Sequence, residues 1–463
     1  MATDLRRRFG RAAAVAVAAS LILLAATARA DFAITTVAGT GVGGFVGDGG
    51  AATAAELNVP YAVASAPDGG FLIADAANHR VRRVGPDGVI LTVAGTGVAG
   101  NSGDGGPATA AQLTLPRGLG VLPDGGYLIA DRDAAVIRRV SPDGMISTVA
   151  GTGVAGFSGD NGAATAAQLN LPYAATPLPG GGFLIADRGN HAIRKVDAAG
   201  RITTVAGTPP SGGFTGDGGP ATAASVNAPC AVTLAPDGSF LFPDRDNNRV
   251  RRVAPDGTIS TVAGNGTGGD AGDGGPTIAA SVTGPYAVVV RPDGTMLIGE
   301  RGGNRIRSVS PAGIITTIAG TGSGGFNGDG AATSAQLNDP VGLALLPGGD
   351  VLVADAANHR VRLLTTSAIS AGGPPTPKVA ATFRFALRSA RASRRSLHMR
   401  FTLSAAGPVR VEVVRRGRRV LRRTIAGRLG PNSATLRVSL APGRYSVRLV
   451  ANGRSLRWTV TAR

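Results

Sequence analysis

The stretch TVAGTGVAGNSGDGGPATAAQL, from Thr92 to Leu113, contains Gly95-Thr-Gly-Val-Ala-Gly100. Those letters fit G-x-G-x-x-G, the phosphate-cradling turn of dinucleotide-binding folds. Such a site needs one loop of this kind, a full-length helix after it and an acid ~20 residues further on. Here the Ala-rich run after Pro107 has room for only about two helical turns. Gly120 stands where the acid would be, and the stretch is not unique.

T-V/I-A-G begins at Thr36, Thr92, Thr148, Thr204, Thr261 and Thr317, in steps of 56, 56, 56, 57 and 56 residues. An acid recurs in phase at Asp48, Asp104, Asp160, Asp217, Asp273 and Asp329, and a proline at Pro60, Pro116, Pro172, Pro229, Pro285 and Pro340. A fixed period outranks any single motif, because it sets the architecture. The fourth copy reads Gly207-Thr-Pro-Pro, which breaks the glycine fingerprint and leaves the repeat intact. The stretch is therefore the crossover between repeated units. Its glycines permit the tight turn, and Pro107 opens a short helix.

One period can be read from Pro60. YAVASA is a short apolar run, Pro67-Asp68-Gly69 a tight turn, FLIAD a second strand, and AANH another turn. RVRRV alternates as a half-buried strand should, and VILTVAG follows a further turn as a fourth strand. Four short strands per repeat make a β-propeller blade. Six sets of the first three strands occur, but the last, ending RVRLLTT, has no fourth strand after it. An orphan fourth strand, Ala33 to Gly39, stands before the first set. The expectation is an all-β, six-bladed propeller over residues 31–366, closed by its N-terminal strand, which leaves no open edge. High glycine (71 residues) and 4% aromatics agree with many turns and short strands.

Asp75-Ala-Ala-Asn78-His79-Arg80-Val81-Arg82 resembles the signature of NHL repeats. Fuller copies occur at Asp187–Arg194, Asp244–Arg251 and Asp355–Arg362, and weaker ones at Asp131–Arg138 and Glu300–Arg307. The resemblance covers residues 32–365. It implies a six-bladed propeller of a secreted bacterial kind. It says little about activity, since that family includes protein-binding, RNA-binding and lyase members.

Two rims can be told apart. One carries tight P-D-G turns; the other carries the second-to-third turns and the long crossovers, and is the expected binding rim. The residue after each periodic proline should face that mouth. It reads Tyr61, Arg117, Tyr173, Cys230, Tyr286 and Val341. Tyr61, Arg117, Tyr173 and Tyr286 are candidate ligand contacts for a sugar or peptide, with funnel filling as the alternative for the tyrosines. Arg132 and Asp133 in blade two and Arg301 in blade five, where the turn departs from its pattern, join the candidates. Asp-x-x-Asn-His, recurring nearly everywhere, reads as a turn lock. The loop phenylalanines Phe45, Phe157, Phe214 and Phe326 read as staples, and Cys230 as a small buried residue.

No catalytic constellation emerges. His79, His191 and His359 sit on blade turns and should not converge on a metal. The lyase members resembling this fold use channel histidines and a metal, and no matching extra histidine is present. No metal site or cofactor is expected. The G-D-G loops leave calcium open by composition alone, although calcium takes six to eight oxygens.

The two ends differ from the middle. Arg6, Arg7, Arg8 and Arg11, the apolar run Ala12 to Ala26 and Ala28-Arg29-Ala30 read as a signal peptide over 1–30, with no membrane-spanning segment after its removal. Residues 373–463 hold 21 Lys+Arg and one acid, a charge of +20, against −2 for the rest. A Gly/Pro linker over 367–379 leads into alternating apolar and polar residues, read as about seven strands of a basic immunoglobulin-like β-sandwich over 380–463. Arg415, Arg416, Arg418, Arg419, Arg422 and Arg423 are its candidate contacts to an anionic surface, such as a cell-wall polymer. Aromatics do not interleave with these arginines, which argues against nucleic acid. The sequence thus points to a secreted or cell-surface, non-enzymatic protein binding a protein or glycan ligand. The alternative is a lyase or hydrolase acting in the channel mouth.

Overall fold

The structure, a computed structural model, describes residues 32–366 and, beyond them, the backbone of seven strands between Phe385 and Ala462. The expected signal segment, the linker and every side chain of residues 380–463 lie outside the described residues. In that last segment the strands Gly407–Arg415 and Arg418–Gly427 form a hairpin with Arg415 opposite Arg418. The packing that would make it an immunoglobulin-like sandwich falls outside what is described. Among the described residues no helix is long and apolar enough to cross a membrane.

Residues 32–366 form a six-bladed β-propeller. Blade one runs Pro60–Ser65, Phe71–Asp75, Arg80–Val84 and Ile90–Ala94 from the axis outward, each strand antiparallel to the next. Blade six has Pro340–Leu345, Val351–Asp355 and Arg360–Thr366 from the C-terminal end, and Phe32–Ala38 from the N-terminal end. The closing pair runs from Phe32 opposite Thr366 to Ala38 opposite Val361. Asp329 fastens this strand, accepting from the Thr36 amide and hydroxyl at 2.9 Å each. Blade four is thinner. Its inner strand keeps only Thr233–Leu234, because Pro243 in the neighbouring strand has no N–H for the ladder.

The core lies between blades. Leu72, Val81 and Ala94 of blade one, for example, pack with Leu113, Tyr127, Ile129 and Ile146 at the junction to blade two. Each fully buried aliphatic side chain contributes roughly 1.5–3 kcal/mol. Inner strands converge so closely that a Cβ on Gly118 would lie 2.4 Å from the Tyr173 carbonyl oxygen. The expected two-turn helix after Pro107 is a single 3₁₀ turn, Ala108–Ala110. It stops there because Ala111 turns extended and packs under the loop, 2.6 Å from where a Gly103 Cβ would be.

The middle arginine of RVRRV is the main departure from the sequence reading. Arg82, Arg138, Arg194, Arg251, Arg307 and Arg362 are fully buried. The G-D-G crossover folds over that face of the blade and supplies a counter-charge. Arg82 meets Asp48 of the crossover at 2.6 Å and Asp75 of the second strand at 3.3 Å. Asp48 also accepts from the Thr92 amide on the outer strand, at 3.0 Å. The same arginine joins loop and second-strand acid in blades three, four, five and six. The loop phenylalanines cover these arginines: Phe45 lies 3.6 Å from Arg80 and 4.7 Å from Arg82, ring centroid to guanidinium. They staple the loop, as expected.

The Asp-x-x-Asn-His turn completes the lock. Asp75 accepts from the Asn58 amide at 2.7 Å and from Asn78 Nδ2 at 2.8 Å. Burial outweighs these partners and pushes Asp75, Asp187 and Asp244 up to about 6. In blade two Ala134 replaces the asparagine, and Asp131 rises further, to about 7, chiefly by burial. In blade five Gly303 does so. The longer Glu300 fills that space, its Oε2 lying 2.5 Å from where a Cβ on Gly303 would be.

The histidine that follows works between blades. His79 takes a left-handed conformation, φ +53°, and its Nδ1 accepts from the Leu115 amide of blade two at 3.2 Å. His191 and His359 do the same for Ala228 and Val59. Asn248 and Asn304 substitute with Oδ1 toward Gly284 and Asp339. Each donating residue precedes the periodic proline and has positive φ, a strained backbone that this bond steadies.

Candidate functional site

Convergence of the inner strands brings the residues after the periodic prolines to the axis. Tyr61, Tyr173, Tyr286, Cys230 and Val341 belong to one buried cluster. The Tyr61 and Tyr286 hydroxyls are 2.6 Å apart, and the three rings stand 5.6–6.2 Å from one another. The tyrosines are 2–7% exposed. They close one end of the channel, above a cavity of about 270 Å³ lined by the inner strands. Burial pushes the Tyr61 and Tyr286 hydroxyls up and the Cys230 thiol to about 11, so all three stay protonated at neutral pH. The tyrosines therefore form a floor and offer no open ring face.

Arginines stand on this floor at the long-loop rim. Arg117 stacks on Tyr61, its guanidinium carbon 3.4 Å from the ring centroid. Arg132 and Arg188 lie 5.5 and 5.0 Å from the Tyr173 centroid, and Arg245 and Arg301 lie 5.9 and 5.6 Å from that of Tyr286. Cation–π attraction of this kind contributes about 0.5–2 kcal/mol each. Three of the five have a carboxylate partner: Arg132 with Asp133 at 2.7 Å, Arg245 with Asp246 at 2.6 Å, and Arg301 with Asp339 at 2.8 Å. Arg117 and Arg188 have no ion pair among the described residues.

Every expected rim residue thus reaches one mouth: Tyr61, Tyr173 and Tyr286 as its floor, and Arg117, Arg132, Asp133 and Arg301 above them. Arg188, Arg245, Asp246 and Asp339 were missed. A signal for two of them was present in one column of the repeat. The residue after the buried second-strand acid reads Ala76, Arg132, Arg188, Arg245, Arg301 and Ala356. Blades two to five carry the arginine, and six and one do not, so the mouth is basic along one arc. Beside it, Arg245, Asp246, Asn248, Thr283, Arg301 and Asp339 line a polar recess of about 460 Å³.

The repeat histidines and most second-strand and loop acids are engaged in the frame, while Asp133, Asp246 and Asp339 pair with the arginines of the mouth. The three repeat histidines accept backbone amides, and burial before all else lowers their pKa values. In five of the six blades the second-strand acid and the loop acid pair with the buried arginine; in blade two Arg138 meets Asp104 at 2.6 Å, and Asp131 Oδ2 has no partner. No group of three or more metal-ligating side chains occurs among the described residues.

Comparison with known proteins agrees with the architecture. A family model described as the NHL repeat matches residues 337–362, the inner strands and turn of blade six. Teneurin-1 of Mus musculus is 28% identical over 233 residues, 45% of this chain and 8% of its own length. Teneurin-m of Drosophila melanogaster is 26% identical over 359 residues, 69% of this chain. The chain spans only 8% and 12% of those relatives' lengths. Among solved structures, a structural genomics protein of unknown function from Bacteroides thetaiotaomicron superposes with a TM-score of 0.55 at 16% identity. An auxiliary nutrient binding protein from the same organism superposes with a TM-score of 0.52 at 15% identity, and in both cases 72% of this chain and 76% of the other are covered. The chain carries an NHL repeat in a six-bladed β-propeller.

Proposed function

We propose that this chain is an exported, non-enzymatic binding protein whose propeller holds a protein or glycan ligand at its arginine-bearing mouth. The observation that carries the reading is the mouth itself. A closed aromatic floor with five cations over it is built for holding a ligand, and the carboxylates of the mouth, Asp133, Asp246 and Asp339, are paired with its arginines. The fold shared with an auxiliary nutrient binding protein is consistent with a binding role. The N-terminal thirty residues supply export, by their signal-peptide pattern, to the outside or surface of a bacterial cell. The C-terminal segment, as a basic immunoglobulin-like domain, attaches the propeller to an anionic polymer through Arg415 to Arg423.

The test is capture by the full-length chain from panels of glycans and secreted proteins. Arg132→Ala and Arg301→Ala should abolish capture, and Asp68→Ala on the opposite rim should not. A ligand retained equally by all three variants would remove the mouth as the binding site. Turnover of a panel compound, lost in the mouth variants, would make the protein an enzyme instead. Retention on isolated wall material should fall with added salt and with Arg415→Gln/Arg416→Gln/Arg418→Gln; salt-independent retention would contradict the attachment role.

A further inference from the structure

The five mouth arginines are not equivalent. Arg132, Arg245 and Arg301 are neutralised by Asp133, Asp246 and Asp339. Among the described residues Arg117 has neither ion pair nor hydrogen bond; its Nε and Nη1 are buried donors without a partner. Arg188 has a buried Nε without a partner, as Arg132 and Arg245 also do; beside it stand the Cys230 thiol and the Tyr173 ring, and it makes no ion pair among the described residues. A buried donor left unmade costs about 1–3 kcal/mol. Two such guanidinium groups share the Tyr173 ring, at 5.7 and 5.0 Å from its centroid. They leave two positive charges without a counter-charge among the described residues, over a buried aromatic floor.

A recess on the Tyr286 side of the floor is lined by polar groups of both signs: Arg245, Asp246, Asn248, Thr283, Arg301 and Asp339. Those lining residues bring no apolar side chain. Arg245 and Arg301 of this recess face Tyr286, whose ring lies 6.0 Å from that of Tyr173 beneath the pair. Donors and acceptors side by side suit a polyhydroxylated ligand, and its volume of about 460 Å³ lies in the range of small-molecule sites.

We infer that the mouth takes an acidic sugar, its carboxylate on Arg117 and Arg188 and its hydroxyls in the recess. This rests on the reading of the rim as a binding site and names its ligand class. Planar guanidinium groups match a carboxylate through paired N–H donors.

The test is calorimetric titration of the full-length chain with digalacturonate, its dimethyl ester and neutral lactose. Digalacturonate should bind and the other two should not. Arg188→Gln and Arg117→Gln should each weaken it roughly ten- to hundredfold, the range for a hydrogen bond to a charged group. Arg188 lies outside the blade locks, so its variant should melt as the parent does; Arg117→Gln, which loses the stack on Tyr61, is read beside it. Equal binding of acid and ester would overturn the carboxylate pair while leaving a sugar site on the rim. Binding that ignores both variants but disappears when Arg415, Arg416, Arg418 and Arg419 become Gln would place the sugar on the C-terminal segment and overturn the inference. No binding of any of the three sugars, with a protein ligand captured and lost in the Arg132 and Arg301 variants, would overturn the sugar class and leave the rim reading standing. If no ligand of either class depended on the mouth, both would fall.

Discussion

Replacing Arg194 with Met tests whether the buried arginines hold the blades together or merely fill space. Arg194 is fully buried and bonds Asp160 at 2.7 Å, Asp187 at 3.4 Å and the Ser158 carbonyl at 3.1 Å. Methionine keeps much of the stem volume and removes the charge. Asp187 would then be a buried carboxylate without its cation, and breaking such a pair costs about 3–5 kcal/mol. The loss should depend on pH. Asp187 already sits at about 6, raised by burial against the pull of Asn190, the Asn170 amide and Arg194. Its folded pKa exceeds the unfolded one, so the folded state holds the extra proton, and stability falls as pH rises from about 4 to about 6. Without Arg194 that pKa climbs further, and the decline continues above 6, at up to about 1.4 kcal/mol per pH unit. Urea denaturation of parent and variant at pH 5.5 and pH 8 reads both effects. The expected result is a gap that widens at pH 8 and narrows again when Asp187→Asn is added. A gap below about 1 kcal/mol, equal at both pH values, would refute the lock.

Four further outcomes follow from the frame. His79→Ala removes the acceptor for Leu115 and should cost about 1 kcal/mol, whereas His79→Asn, the solution blade four uses at Asn248, should be near neutral by thermal melting. Because burial lowers the pKa values of His79, His191 and His359, their contribution should be present above about pH 6.5 and decline as pH falls below it; the triple His→Asn variant should lose that acid sensitivity. Ala134→Asn would restore to Asp131 the partner that blade two lacks, and should raise stability by about 1 kcal/mol and bring Asp131 down from about 7, read by NMR titration. Asp329→Ala cuts the bonds to Thr36 and Arg362 that fasten the closing strand, so Ile34 to Ala38 should lose hydrogen-exchange protection before the other blades do.

Much of the frame was legible because a repeat exposes its own grammar. The phase of Thr36 against Thr317, and the missing fourth strand after RVRLLTT, locate the closure in the sequence itself. The burial of Arg82 was not legible. RVRRV reads as a strand with polar groups turned to water, and only the crossover folded over that face brings Asp48 to the guanidinium. The histidines were placed on their turns, but their partner is an amide of the next blade, whose distance the sequence does not encode. The tyrosines were located at the axis by position, while their mutual burial depends on how tightly the inner strands converge. Arg188 and Arg245 were missed because the departures of blades two and five were read singly, although the column from Ala76 to Ala356 holds the whole arc.

Hydrogen–deuterium exchange of the full-length chain, with and without digalacturonate, tests most directly that the arginine mouth is where this protein meets its ligand. Protection is predicted at the turns that follow Asp131, Asp187, Asp244 and Glu300, with no change at the P-D-G turns such as Pro67–Gly69. Protection confined to the P-D-G rim or to residues 380–463 would contradict it.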